Sequence, residues 1–158
     1  QKDDLAAPEN TYSESKRTEI AQYADAIFYN DFVVSSIFGK FADKDALVIY
    51  LPDHGEAVYD NDTAMSGHVE EHPNRYMLEV PMLIYASPSW RERHPDKWQA
   101  IQAAVNRPYM TDDMIHTLLD LLDIRTPEYD PSRSIVNPAY NEKRPRIVQG
   151  QDYDKSMK

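Results

Sequence analysis

Asp53-His54-Gly55-Glu56 sets a carboxylate, an imidazole and a second carboxylate within one short stretch, and His68 and His72 follow soon after. Carboxylate oxygen and imidazole nitrogen are ligands that Zn²⁺ or Mn²⁺ accepts, and the glycine between them lets the backbone turn sharply beneath an ion. The position of the motif strengthens the reading. It stands directly behind the apolar run Ala-Leu-Val-Ile-Tyr-Leu-Pro at 46–52, which predicts a buried strand. Side chains just beyond the carboxyl end of a stiff, packed strand are held in defined positions, and open α/β sheets bind ligands there. Asp53 and His54 are therefore the candidate metal ligands. Glu56 reads first as a carboxylate that orients a ligand or caps the loop, with direct ligation as the alternative.

The other histidines carry less. His72 lies four residues after His68, but Pro73 shortens any helix that would put both on one face, so His72 reads as a loop histidine and the alternative to His68. His94 sits in the charged stretch Arg91-Glu-Arg-His-Pro95 and reads as a bystander. His116 falls on an amphipathic segment, where packing or a hydrogen bond is expected of it.

Several elements must position these residues. Thr11-Tyr-Ser-Glu14 fits a capping box, and Ile20, Tyr23, Ile27, Val34, Phe38 and Phe41 follow at near-helical spacing, which predicts a long helix over 13–42. Asp43-Lys-Asp45 turns the chain into the strand at 46–52. A helix feeding a continuous apolar strand suggests a parallel α/β sheet covered on both faces. Residues 56–78 are polar and aperiodic and read as a functional loop with at most one helical turn. Val80-Pro-Met-Leu-Ile-Tyr-Ala86 predicts a second strand beside the first, with Pro81 near its start. Ser89-Trp-Arg-Glu92 resembles another capping box, opening a helix that Pro108 ends; Thr111-Asp-Asp113 caps the next, lined by Met114, Ile115, Leu118, Leu119 and Leu122. Pro127, Pro131, Pro138 and Pro145 leave a wrapping tail with a short strand at 146–149.

The 158 residues suffice for one compact domain, and 41% hydrophobic content fits a globular protein. A net charge of −10, with 17 scattered Lys and Arg, points away from direct nucleic-acid binding, which needs a basic face. The lack of cysteine excludes a disulfide framework, a thiolate metal site and a cysteine nucleophile. No apolar stretch approaches the roughly 20 residues that span a membrane, and no signal-peptide pattern is present. The polar opening Gln1-Lys-Asp-Asp4 suggests a piece of a larger protein.

Tyr23 to Asp31, the run Ile49-Tyr-Leu-Pro-Asp-His-Gly-Glu56, Gly67-His68, Val80-Pro-Met-Leu-Ile-Tyr-Ala-Ser87 and His116 to Ile124 together resemble the phosphoethanolamine transferases of the sulfatase and alkaline-phosphatase superfamily. The order and spacing are similar to their carboxy-terminal half, over roughly residues 15–125. The resemblance implies a partial sulfatase-like α/β sheet with helices on both faces. It makes 1–158 a single domain from the carboxy-terminal part of a catalytic domain, with a core at 15–125 and a Pro-rich tail at 126–158. Asp53 and His54 match the family's consecutive zinc ligands, and His68 matches a catalytic histidine that lies near the substrate phosphate or binds a second zinc. One or two zinc ions are implied, ahead of manganese or calcium. Tyr23, Asn30 and Asp31 match positions that pack or cap beside the site.

In the complete enzyme the resemblance implies a threonine nucleophile, activated by zinc, that takes phosphoethanolamine from a phospholipid and passes it to a lipid A, core sugar or glycan acceptor. The implied location is the periplasmic face of the bacterial inner membrane, with this piece soluble. The family's nucleophilic threonine lies upstream, and Thr11, Thr18 and Thr63 do not match its strand-then-helix setting. The fragment is therefore expected to be inactive alone and to expose a sheet edge that favours homo-oligomers. A sulfatase or phosphodiesterase hydrolase is the alternative within the superfamily, and a non-catalytic α/β interaction module is the alternative outside it.

Overall fold

A computed structural model describes residues 12–60 and 65–157. Its first element is the helix α1, Glu14–Gly39, whose start is capped by Ser13, the Oγ of which accepts from the Lys16 N–H at 3.4 Å. The cap expected of Thr11 lies outside the described residues. A polar turn then leads into β1, Leu47–Tyr50, which pairs with β4, Leu83–Ala86. The pairing is antiparallel, with Leu47 opposite Ala86 and Tyr50 opposite Leu83, and not the parallel arrangement suggested by the helix-to-strand pattern. A parallel return needs a long crossover. Among the described residues between these strands the longest helix is the four residues Arg75–Leu78, α2, and the chain folds back along β1 instead.

The register divides the sheet into two faces. Leu47, Ile49, Ile84 and Ala86 share one, and they pack with Trp90, Ile101, Ala104, Leu121, Ile135 and Val136 into the core. Tyr50 and Tyr85 point to the other face, where α1 lies: the Phe38 ring stacks on Tyr85 at 5.3 Å, and Asn30 Nδ2 donates to Tyr50 Oη at 2.7 Å. Helices therefore cover both faces, as expected.

The helices of the core side begin at α3, Pro88–Arg93, which Pro95 separates from α4, Pro95–Ala103. One continuous helix was expected here, and its cap is Ser87 rather than Ser89. Ser87 Oγ accepts from the Trp90 N–H at 3.1 Å and from the Ala46 N–H at 3.2 Å, so one hydroxyl ties the helix start to the entrance of β1. A 3₁₀ turn, Thr111–Asp113, runs into α5, Met114–Leu121.

The tail wraps back over α5 and supplies core residues of its own. Thr117, fully buried, accepts the Ile135 N–H at 3.2 Å, and Asp120 accepts from Ser134 Oγ at 2.8 Å and Asn137 Nδ2 at 2.9 Å. Arg133 pairs with the buried Asp113 at 2.5 Å and with Asp112 at 2.8 Å, and Arg144 also pairs with Asp112. His116 Nδ1 accepts the Asp130 N–H at 3.1 Å, the hydrogen bond expected of it. The predicted short strand is β5, Ile147–Val148, antiparallel to β6, Gln151–Asp152, and the helix α6, Tyr153–Ser156, follows.

Candidate metal centre

The motif leaves the end of β1 as a loop whose course is set by Gly55. Its N–H donates to the Met77 carbonyl at 2.8 Å, and a Cβ added there would sit 2.2 Å from the Tyr76 carbonyl oxygen. Only a residue without a side chain lets the loop approach the α2 backbone so closely. α2 is fixed in turn: Asn74 caps it through the Tyr76 N–H at 3.0 Å, and the Tyr153 hydroxyl of α6 donates to Glu79 at its far end.

Beyond Glu56 the polar loop contains a small ladder. β2, Ala57–Val58, pairs antiparallel with β3, Ser66–Gly67, with Ala57 opposite Gly67 and Val58 opposite Ser66. Glu56 and His68 therefore leave the same end of the hairpin opposite one another. Gly67 takes a φ of +111°, which a side chain would strain, as the chain turns into His68.

These turns bring His54, Glu56 and His68 together, with one ligand atom from each inside a 4.8 Å span. Glu56 Oε1 lies 2.7 Å from His68 Nδ1 and 4.0 Å from His54 Nδ1, and the two imidazole centroids are 3.8 Å apart. A carboxylate can only accept, so the His68 contact places a proton on Nδ1 and leaves the Nε2 lone pair available. His54 is held similarly, with Nδ1 2.9 Å from the Gly55 carbonyl and Nε2 3.9 Å from Asp53 Oδ1. Asp53 is 93% exposed at its side chain and accepts the His54 N–H at 3.1 Å, an open carboxylate beside a free imidazole nitrogen. Neighbouring ligands of a tetrahedral zinc stand about 3.3 Å apart, the scale on which His54, Glu56 and His68 are gathered, with Asp53 beside this group rather than within it. The donor set fits zinc: nitrogen and carboxylate oxygen, partly open to solvent, with each imidazole oriented by an acceptor.

Sequence reasoning named Asp53, His54 and His68 and treated Glu56 mainly as an outer carboxylate. Glu56 makes the shortest contact in the cluster, to His68; the ladder register that brings the two opposite one another leaves no periodic trace in so short a hairpin. Tyr23 lies near enough that, after burial, the charges of Glu56 and Asp60 push its phenol above the usual range. It remains a neutral hydroxyl at physiological pH. His72 is exposed and is not among the clustered donors. His94 closes α3, with its ring centroid 4.9 Å from that of Trp90, away from the cluster. Thr18 is committed to its own helix, donating to the Glu14 carbonyl at 2.9 Å, while Thr11 and Thr63 lie outside the described residues.

An α/β chain whose first strand ends in a carboxylate and imidazole cluster fits the class of metal-dependent esterase and transferase domains, and comparison makes the class specific. This chain belongs to the sulfatase family, whose model matches residues 2–124. It is 37% identical to the phosphoethanolamine transferase EptC of Escherichia coli (strain K12) over 123 residues, which is 76% of this chain and 21% of that protein. With the phosphoethanolamine transferase CptA of Salmonella typhimurium it shares 38% identity over 65% of this chain and 18% of the relative. The crystal structure of the C-terminal periplasmic domain of EcEptC from Escherichia coli superposes with a TM-score of 0.81 at 31% identity, covering 96% of this chain and 44% of that one. The same domain in complex with Zn gives a TM-score of 0.79. The chain thus spans about one fifth of the length of the curated relatives it matches. Among the described residues no helix is long and apolar enough to cross a membrane.

Proposed function

We propose that this chain is the carboxy-terminal part of the catalytic domain of a zinc-dependent phosphoethanolamine transferase, which moves phosphoethanolamine from a phospholipid to a lipid A, core sugar or glycan acceptor. The parent protein works at the periplasmic face of the bacterial inner membrane. The observation that carries this reading is the convergence of His54, Glu56 and His68, beside Asp53, in a family relative of a domain solved with Zn.

Asp53 and His54 are the metal-holding residues of the proposal. Zinc, when bound, supplies positive charge that lowers the pKa of a hydroxyl and offsets the charge growing on phosphoryl oxygens. Glu56 keeps the Nδ1 proton of His68 occupied and so presents Nε2 of that ring to the substrate side. His68 is the catalytic residue assigned to the phosphoryl oxygens or the leaving group. The nucleophilic threonine is assigned to a part of the protein outside this sequence, in keeping with the one-fifth share of the relatives' length.

The deciding experiment uses the full-length protein with zinc, a phosphatidylethanolamine donor and a lipid A acceptor, with the acceptor mass read by mass spectrometry. Gain of one phosphoethanolamine, abolished by His54→Ala, is the expected result. Donor cleavage without transfer would instead support a hydrolase. Absence of both zinc binding and turnover would leave the interaction-module reading.

A further inference from the structure

The hairpin that carries Glu56 and His68 is too short to hold itself. A two-stranded ribbon is marginal in water even at full length, and β2 and β3 have two residues each. A slip of one residue would send His68 to the opposite face from Glu56 and dismantle the cluster. Something outside the ladder must therefore fix its register.

Glu19, on the second turn of α1, is placed to do so. Its Oε2 accepts from Tyr59 Oη at 2.5 Å, and its Oε1 accepts from Ser66 Oγ. The two partners stand on opposite strands: Tyr59 directly follows β2, with its N–H donating to the Met65 carbonyl at 3.0 Å, and Ser66 opens β3. The ends of the arrangement are held as well. Lys16 lies 4.5 Å over the Tyr59 ring, and Tyr12 Oη donates to the Tyr59 carbonyl at 3.0 Å. Tyr59 itself takes a φ of 61°, a left-handed conformation that a tyrosine adopts only where its surroundings hold it. The hydrogen bonds from Ser66 and Tyr59 hold the Glu19 carboxyl below its usual range, so it is ionised and accepts from both at neutral pH.

We propose that Glu19 is a positioning residue of the metal centre: bridging Tyr59 and Ser66 from α1, it locks the register of the β2–β3 hairpin and with it the spacing of Glu56 and His68. The zinc part of this inference rests on the function proposed above; the register part does not.

The test compares the wild-type protein with Glu19→Ala, Glu19→Gln and His54→Ala. In the metal-free protein, hydrogen exchange at the Tyr59 amide is expected to quicken by about tenfold in Glu19→Ala, with α1 and α5 unchanged, and to return towards wild type in Glu19→Gln, whose amide can accept from one hydroxyl through its oxygen and donate to the other through its nitrogen. Zinc affinity measured by calorimetry is expected to fall by about tenfold in Glu19→Ala and to recover in Glu19→Gln. Unchanged exchange at Tyr59 would overturn the proposal. So would a uniform rise across α1 and α5, because Glu19 would then serve general stability. Failure of the wild type to bind zinc would sink the metal reading alone, and the exchange data would still decide for or against Glu19.

Discussion

In the proposed centre the side chains of His54 and Glu56 and the backbone at Gly55 act through different physical causes. His54→Ala removes the imidazole beside Asp53, and a fall in zinc affinity of more than about 100-fold is expected by calorimetry, against about 10–100-fold for Glu56→Gln, which loses the charged acceptor that orients His68. A Glu56→Gln affinity equal to wild type would remove Glu56 from the centre. Gly55→Ala acts on the fold and not on the ligands. Its methyl group would meet the Tyr76 carbonyl, which belongs to the backbone and cannot rotate aside, so a loss of about 1–3 kcal/mol is expected in urea unfolding. Asp53, His54 and His68 could be named from residue type and from family resemblance. Glu56 could be read as an orienting carboxylate, but its partner could not be named, because nothing in the polar stretch 56–78 announces which residues pair across a two-residue ladder.

Among the elements, the tail and α5 form one unit. Thr117→Val keeps the shape and removes the acceptor for the Ile135 N–H, and stranding that buried donor is expected to cost about 1–3 kcal/mol. Asp120 makes the same contact sensitive to pH. Burial works against its charged form, but hydrogen bonds from Asn137, Ser134 and Tyr129 outweigh it and hold the carboxyl below its ordinary value of 3.8. A group with a lowered folded pKa stabilises above its unfolded value and loses that contribution as pH falls through the folded one. The urea midpoint should therefore drop as pH falls below about 4, and by less in Asp120→Asn. Equal drops in the two proteins would assign the acid sensitivity to other carboxylates. Element boundaries followed the apolar runs well: α1, β1 and β4 fall inside the segments predicted for them. The Ser87 cap was missed because two serines compete as caps within three residues; Pro88 at the first helical position and the contacts with the Trp90 and Ala46 N–H groups favour the first.

In the whole molecule, the largest departure from a closed fold is α1. Val34 is buried and Phe38 stacks on the sheet, yet Phe28 is 79% exposed and Ile27, Tyr29 and Phe32 are exposed beside it. So many large apolar side chains on one helix mark an interaction surface. The 158-residue chain by itself should associate as concentration rises, and Phe28→Asp with Phe32→Asp should shift it towards monomer in sedimentation; a monomer at all concentrations would refute the expectation. The sequence by itself determined α1, β1, β4 and the residue types at the end of β1, because local apolar pattern and donor chemistry are properties of neighbours along the chain. Only the tertiary structure decided that the strands run antiparallel, that Glu56 meets His68, and that Glu19 reaches the hairpin from α1. Those contacts join residues far apart in the chain, and their geometry depends on register and packing that no local pattern encodes.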